Sequence, residues 1–355
     1  MTLPRDRSSS PHAALLPALR ALPELADLED GSLEPAGFTG MAHEHLRLKG
    51  KGLILRIPRV SQWGLPAEVN LAYQASAFRR AAASGHSPLL SALLPPSAAL
   101  PMGALLVEEI RGRKVRLPGD LPAIALCLSR IHRLPLPAPE ARRPLLSPEP
   151  ALAQMLATIE LQSGFIAAAG LAPEAVALIA DERAWARAFA AARARAAVPT
   201  ALIVTDSHPG NFVVDDAGKA WFVDLEKAMY AHPATDLAHA TLYTSTRFDP
   251  EIDAVLTRAE TQAFYRSYLA TLGGTAAAAL LPWLAPLRRL VWLRTLTWCV
   301  KWTVESKKSG GWSRQWLAPE VLAHMEDCLA DFLSPARIAR LSEELRRDEE
   351  EGLVP

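Results

Sequence analysis

The chain has 355 residues, half of them apolar, with 38 Lys plus Arg against 38 Asp plus Glu, so its formal net charge is zero. That length and apolar content can bury a large core in two lobes or domains, which excludes a disordered or fibrous protein. The balanced charge leaves no basic surplus to hold nucleic acid or an anionic membrane.

Residues 1–11 are Ser/Pro-rich and charged; they lack the apolar segment of a signal peptide and are expected to be disordered. Leucines at helical spacing predict a leading helix over residues 13–28. The texture then changes to strands: His45-Leu46-Arg47-Leu48 alternates, Lys49-Gly50-Lys51-Gly52 turns, and residues 53–57 form a second apolar run. Gly37 and Gly40 precede this hairpin, either as a loop covering phosphates or as part of an ordinary hairpin; no Walker loop is present. Arg56 stands between Leu55 and Ile57. A charge on a buried strand needs a partner, unless the residue faces outward from an edge.

A helix is expected over residues 71–83 and an apolar strand over 103–107, followed by Glu108-Glu109-Ile110-Arg111-Gly112. Residues 121–134 carry Leu, Ile and Cys at i, i+3, i+4 and close on Ile131-His132, which reads as a packed histidine at a helix end. A proline-rich linker (135–150) and alanine-rich helices (151–197) follow. Cys127, Cys299 and Cys328 are odd in number and widely spaced, so they read as reduced core thiols and make the cytoplasm the expected compartment. No apolar run approaches the roughly 20 residues of a membrane span.

The most informative stretch is residues 201–226. Three short apolar runs, 201–204, 212–214 and 220–223, read as buried strands, with Asp215-Asp216-Ala217-Gly218 closing the second pair as a hairpin. Between the first two lies Thr205-Asp206-Ser207-His208-Pro209-Gly210-Asn211, where Pro209-Gly210 forces a turn that lets Asp206 and Asn211 face one point. Asp224 follows the third run directly. Two carboxylates and an amide oxygen converging at strand ends are too few to cage an ion alone. They suit Mg²⁺, which takes its remaining ligands from water and substrate phosphates.

Asp206, four residues, Asn211, a hairpin and Asp224 is also the spacing of a kinase catalytic loop and its metal-binding Asp. Asp206-Ser207-His208-Pro209-Gly210-Asn211 with Val223-Asp224-Leu225-Glu226 resembles the aminoglycoside phosphotransferase and choline kinase family, whose loop reads His-Gly-Asp-x-His-Pro-Gly-Asn. Asp236-Leu237-Ala238 stands where that family places a loop-supporting Asp. Val204-Thr205 departs from the family's His-Gly, in which the His braces the loop.

The resemblance implies an α+β, bilobal protein-kinase-like fold: a disordered start and leading helix (1–29), a small β-rich nucleotide-binding lobe (30–110) and a large, mainly helical catalytic and acceptor-binding lobe (111–355). It also implies ATP-dependent phosphorylation of a small-molecule hydroxyl. Asp206 would orient the hydroxyl and accept its proton, Asn211 and Asp224 would hold Mg²⁺, and Arg56 would contact the ATP phosphates. Glu226 would support the metal site. Gln74 stands where the family pairs a Glu with the strand cation, and Glu68 is a possible substitute. Glu109 and Ile110 fall in the hinge that meets the adenine edge. The departures at 204–205 and 74 keep a rival open, a pseudokinase or nucleotide-binding regulatory module. A protein kinase fits poorly, because Asp236 follows Asp224 by only twelve positions and no Ala-Pro-Glu follows.

Beyond the motif, Asp249 before Pro250 reads as a helix N-cap. Six tryptophans lie between Trp283 and Trp316; Trp298 and Trp302 share a helical face, as core packing or as an aromatic cage for an ammonium group. The charged tail, 343–351, reads as a solvated helix end. The acceptor stays open among amino alcohols, aminoglycosides and sugars.

Overall fold

The structure, a computed structural model, describes residues 12–37, 42–150, 152–196, 198–308, 314 and 317–354. The loop anticipated at Gly37/Gly40 and the disordered start lie largely outside the described residues.

The alternating stretch after Ala42 forms the expected hairpin. β1 (Leu33–Pro35), β2 (His43–Leu48) and β3 (Leu53–Pro58) join β4 (Leu90–Leu94) and β5 (Ala104–Glu108) in one antiparallel sheet of order β1-β2-β3-β5-β4. Side chains alternate across a strand. Leu46, Leu48, Leu55 and Leu106 therefore pack on Leu15, Leu16, Leu19, Leu25 and Leu28 of the leading segment. Ile54, Leu105 and Val107 face the other way, into the core around α2 (Ala67–Ala82). Arg56, two residues from Ile54, shares that second face and is 4 % exposed. It is not an outward edge residue.

The leading segment is not one helix. It breaks into a 3₁₀ turn (Ala13–Leu15), α1 (Leu16–Arg20) and a second 3₁₀ turn (Pro23–Leu25). Leu22 is extended (φ −80°, ψ 126°), as steric clash with the ring of Pro23 demands.

The rest of the chain is mainly helical. β6 (Arg113–Lys114), α3 (Leu121–His132), α4 (Ala153–Ser163) and α5 (Pro173–Arg193) lead to the motif. Its three anticipated strands are β7 (Ala201–Ile203), β8 (Phe212–Val214) and β9 (Ala220–Phe222), divided between two sheets: β7 pairs with β10 (Met229–Ala231), and β8 lies between β6 and β9. The Asp215–Gly218 hairpin turn forms as expected, with Gly218 at φ 79°. Gly112 lets the chain entering β6 pass close to β8, since a Cβ there would lie 2.3 Å from the Val214 carbonyl oxygen. Then come α6 (Ala234–Thr241), α7 (Tyr243–Thr246), α8 (Arg258–Ala270), α9 (Gly274–Glu305), α10 (Pro319–Phe332) and α11 (Pro335–Glu351).

Three expectations are corrected here. Asp249 opens a turn and not a helix: its carboxylate accepts from the Glu251 N–H at 2.9 Å and holds Lys114 at 3.0 Å, while α8 starts eight residues later with Thr257 and Glu260 as a capping box. α9 is long and apolar enough to cross a membrane by length and composition, contrary to the sequence reading. Its most apolar window is 61 % buried, and the helix packs against α4, α6 and α11, so its place as the spine of the core accounts for that composition. The tail is not simply solvated either. Asp348 is buried beside Arg258 (3.2 Å) and Arg288 (3.7 Å), and Glu349 meets Arg289 at 3.3 Å. The three cysteines are free and buried, as anticipated.

Candidate active site

The loop after β7 is held from behind by one residue. The Asp236 carboxylate, fully buried on α6, accepts the Val204 N–H at 2.7 Å and the Thr205 N–H at 2.8 Å, and its own carbonyl accepts the Ser207 hydroxyl at 2.7 Å. His132 at the end of α3 seats that carboxylate, its Nε2 2.9 Å from Oδ2 while Nδ1 meets the Tyr268 hydroxyl at 2.8 Å. His132 therefore does more than pack a helix end. Thr205 takes φ +67°. This is the left-handed region that suits the family's Gly and costs a β-branched residue about 1–2 kcal/mol. Two backbone bonds to a buried carboxylate hold the strained turn in place, so Val204-Thr205 is accommodated without the family's His-Gly.

Pro209–Asn211 winds into a 3₁₀ turn. Gly210 is needed there, because a Cβ would fall 2.9 Å from both an Asp249 oxygen and the His208 ring. The turn returns Asn211 to the loop it left: Nδ2 donates to the Asp206 carbonyl at 2.8 Å, which leaves Oδ1, the group's acceptor, for another partner. Asp206, Asn211 and Asp224 line one cavity of about 690 Å³. The convergence expected from their spacing is present.

Both carboxylates already meet a cation. Lys227 Nζ lies 2.6 Å from Asp206, and His239 Nδ1 lies 3.6 Å away. Burial opposes the Asp206 charge, but the attraction of Lys227, hydrogen-bonded to it, outweighs it and holds the carboxyl well below the usual range. Burial, with the positive charges of Arg294 and Lys227 behind it, outweighs Asp206 and lowers His239 to about 3, so it is neutral. Arg56 reaches Asp224 at 2.7 Å and the Val223 carbonyl at 3.0 Å. Against burial, Arg56 lowers the Asp224 pKa.

Gln74 does not meet Arg56. Its Oε1 lies 3.1 Å from His43 Nε2, and it sits behind that ring, outside the residues lining the cavity; Glu68 is exposed in the first turn of α2. His43 and Arg56 lie on adjacent paired strands; Gln74 of α2 meets His43, while the Arg56 guanidinium lies over the ring of Phe78 on the same helix, 5.4 Å from its centroid. On its other side His43 Nδ1 is 3.6 Å from Glu226 Oε2. Burial, then repulsion from Asp224, raises Glu226 to about 8, and burial lowers His43 to about 4, so both are neutral at pH 7. His43, Asp224 and Glu226 bring ligand atoms within 4.8 Å of one another, and Glu226 Oε2 has no hydrogen-bond partner among the described residues. Such hard oxygen donors, with Asn211 Oδ1, fit a divalent cation.

Glu108 at the end of β5 and Ile110 just after it line the cavity. Glu109 does not. Its carboxylate turns to Arg47 at 2.5 Å, and its N–H goes to Gly52 at 2.9 Å. The inner side of the cavity is formed by α9, through Arg294, Trp298, Lys301, Trp302 and Glu305. Sequence reasoning missed Lys227, His43, Arg294 and Lys301. The signal was there: Lys227 adjoins Glu226, and Arg294 and Lys301 are charges set in an otherwise apolar stretch.

The fold is one already seen in solved structures. A choline/ethanolamine kinase family protein from Mesorhizobium loti superposes with TM-score 0.57 at 19 % identity, covering 92 % of this chain and 98 % of that one. Plasmodium vivax ethanolamine kinase gives 0.59 at 11 % identity, covering 92 % and 88 %. The GDP complex of aminoglycoside 2'-phosphotransferase-IIIa gives 0.58 at 15 % identity, covering 90 % and 99 %. No curated protein matches the chain. Residues 44–272 match the model of the phosphotransferase enzyme family. That match covers more than half of the chain, from β2 through the catalytic-loop motif to the end of α8, and the protein is a member of the phosphotransferase enzyme family.

Proposed function

We propose that the protein transfers the γ-phosphoryl group of ATP, with Mg²⁺, to a hydroxyl of a small molecule. The observation that carries this reading is the meeting of Asp206, Asn211 and Asp224 around one cavity, with Arg56 bonded to the last of them. Residues 30–110 would form the nucleotide lobe and 111–355 the catalytic and acceptor lobe, with Ile110 at the hinge against the base. The three buried free thiols favour a reducing, cytoplasmic setting.

Asp206 is ionised at neutral pH, so it can orient an acceptor hydroxyl and take its proton as the new O–P bond forms. Lys227, 2.6 Å away, fixes the carboxylate's position and adds positive charge where phosphoryl oxygens would gather. Arg56 can grip two phosphate oxygens at once through its planar fork. Asn211 and Asp224 would hold Mg²⁺, with Glu226 and His43 behind; the ion neutralises phosphate charge when bound. Because the transition state is loose, positioning and charge neutralisation carry the catalysis.

The test is Mg²⁺-dependent ADP release from purified protein against a panel of amino alcohols, aminoglycosides, sugars and hydroxy acids, beside Asp206→Asn. Acceptor-stimulated turnover that falls by about a hundredfold or more in the variant is the expected result. Nucleotide binding with no turnover on any acceptor, unchanged by the substitution, would replace this reading with a regulatory nucleotide-binding module.

A further inference from the structure

The inner wall of the cavity carries a charge imbalance that bears on the acceptor. Arg294, Trp298, Lys301, Trp302 and Glu305 follow one another at i, i+4, i+7, i+8 and i+11 on α9, so they form one stripe that faces the cavity. Arg294 sits at the chemical end of the stripe, donating to the Thr205 carbonyl at 3.2 Å, one residue from Asp206. Lys301 stands two helical turns further on, about 10 Å along the axis.

The carboxylates around this wall are already engaged. Asp206 is bonded to Lys227, Asp249 to Lys114, and Glu305 to Lys308 at 2.5 Å. Arg294 and Lys301 have no carboxylate within ion-pair distance among the described residues, and Arg294 uses a single N–H on protein. Arg294 is half-buried and feels Asp206 and Asp236 only from beyond ion-pair distance, so an anion arriving with the substrate would be its first direct counter-ion.

The aromatic faces lead to the same conclusion. A cage for an ammonium group needs open ring faces and no competing cation. Here Arg314 lies 5.6 Å from the Trp302 ring centroid, and Trp298 is packed edge-on against Phe248 at 5.8 Å. The stripe offers apolar contact together with positive charge. That combination repels a polycationic aminoglycoside and a choline-like amine, and it suits a hydroxyl compound with an apolar body and a carboxylate.

We propose that the acceptor is a hydroxy acid of this kind, its carboxylate held by Arg294 and Lys301 and its apolar body lying along Trp298 and Trp302. Arg294 can bind a carboxylate through two parallel N–H bonds, and Lys301 supplies a mobile second charge. The assignment rests on the phosphotransferase reading and sharpens it.

The experiment uses the full chain and three probes of one skeleton: para-(hydroxymethyl)benzoate, its benzamide and its benzylamine. Binding is followed by tryptophan fluorescence. Separately, binding of a fluorescent ATP analogue with Mg²⁺ is measured in the wild type and Asp224→Asn, which tests the underlying reading without any acceptor. The benzoate should bind about tenfold or more tightly than the amide, and the amine most weakly. Lys301→Glu should reverse the order of benzoate and amine. Arg294→Lys, which keeps the charge but removes the fork, should weaken the benzoate and leave the amide unchanged. Thermal melts confirm that each variant is folded.

Equal or tighter binding of the amine by wild type overturns the proposal, as does an unchanged order in Lys301→Glu. Failure of all three probes while the nucleotide still binds overturns it too and leaves the phosphotransferase reading standing. Loss of Mg²⁺-nucleotide binding in wild type would remove both.

Discussion

Thr205 shows how much one residue can be asked to bear. It holds φ +67° immediately before Asp206, where the family pattern has glycine. Its N–H and that of Val204 are both given to Asp236. Replacing it by glycine removes strain of about 1–2 kcal/mol and adds unfolded-chain entropy worth about 0.5–1 kcal/mol. Thr205→Gly should therefore raise stability by roughly 0.5–1 kcal/mol, read as a higher urea midpoint at unchanged slope; a lower midpoint would show that the threonine is not strained. Asp206 and Asn211 were readable from the sequence because their chemistry and spacing are local. Gln74 was not, because whether it meets Arg56 or His43 depends on how helix and sheet pack, and here α2 offers Gln74 to His43 and Phe78 to Arg56.

At the scale of elements, the junction of β10 and α6 carries a pH dependence. His232 is buried, its Nδ1 accepts the Ala234 N–H at 3.1 Å, and burial lowers its pKa to about 3. The unfolded chain binds a proton at this residue below about pH 6.5 and the folded chain does not. Its contribution to stability is thus fully present above that pH and is lost as pH falls toward 3, by up to about 1.4 kcal/mol per pH unit. His232→Asn keeps an acceptor for the same N–H and cannot titrate. Its urea midpoint should fall less steeply than wild type between pH 6.5 and 4; identical slopes would count against this account. The elements themselves were largely legible. Hydrophobic alternation placed β2, and apolar runs placed β3, β7, β8 and β9, whereas Pro23 divided the leading helix and the turn at Asp249 stood in for a helix start.

At the scale of the molecule, the β-rich part and the helical part meet across the site. Arg56 on β3 bonds Asp224 and the Val223 carbonyl, and the Tyr73 hydroxyl on α2 donates to the Ala228 carbonyl at 2.7 Å. The cation expected to steady phosphates is therefore also a tie between the two parts. Arg56→Gln removes charge-assisted bonds worth about 1.5–3 kcal/mol. Affinity for a fluorescent ATP analogue should drop by roughly ten- to hundredfold. Unaltered affinity would confine Arg56 to a structural tie.

The sequence by itself determined the order of the strands and helices around the motif and the positions of Asp206, Asn211 and Asp224, because period, turn chemistry and motif spacing act over a few residues; the fold class followed from the family resemblance that this motif carries. Tertiary structure alone decided which charges face one another. Lys227 on Asp206, Arg56 on Asp224 and His43 between Gln74 and Glu226 are meetings of this kind, and Arg294 and Lys301 on the inner wall have no carboxylate within ion-pair distance among the described residues. Electrostatic pairing is a property of distance and burial. Neither is written in the spacing of residues along a chain.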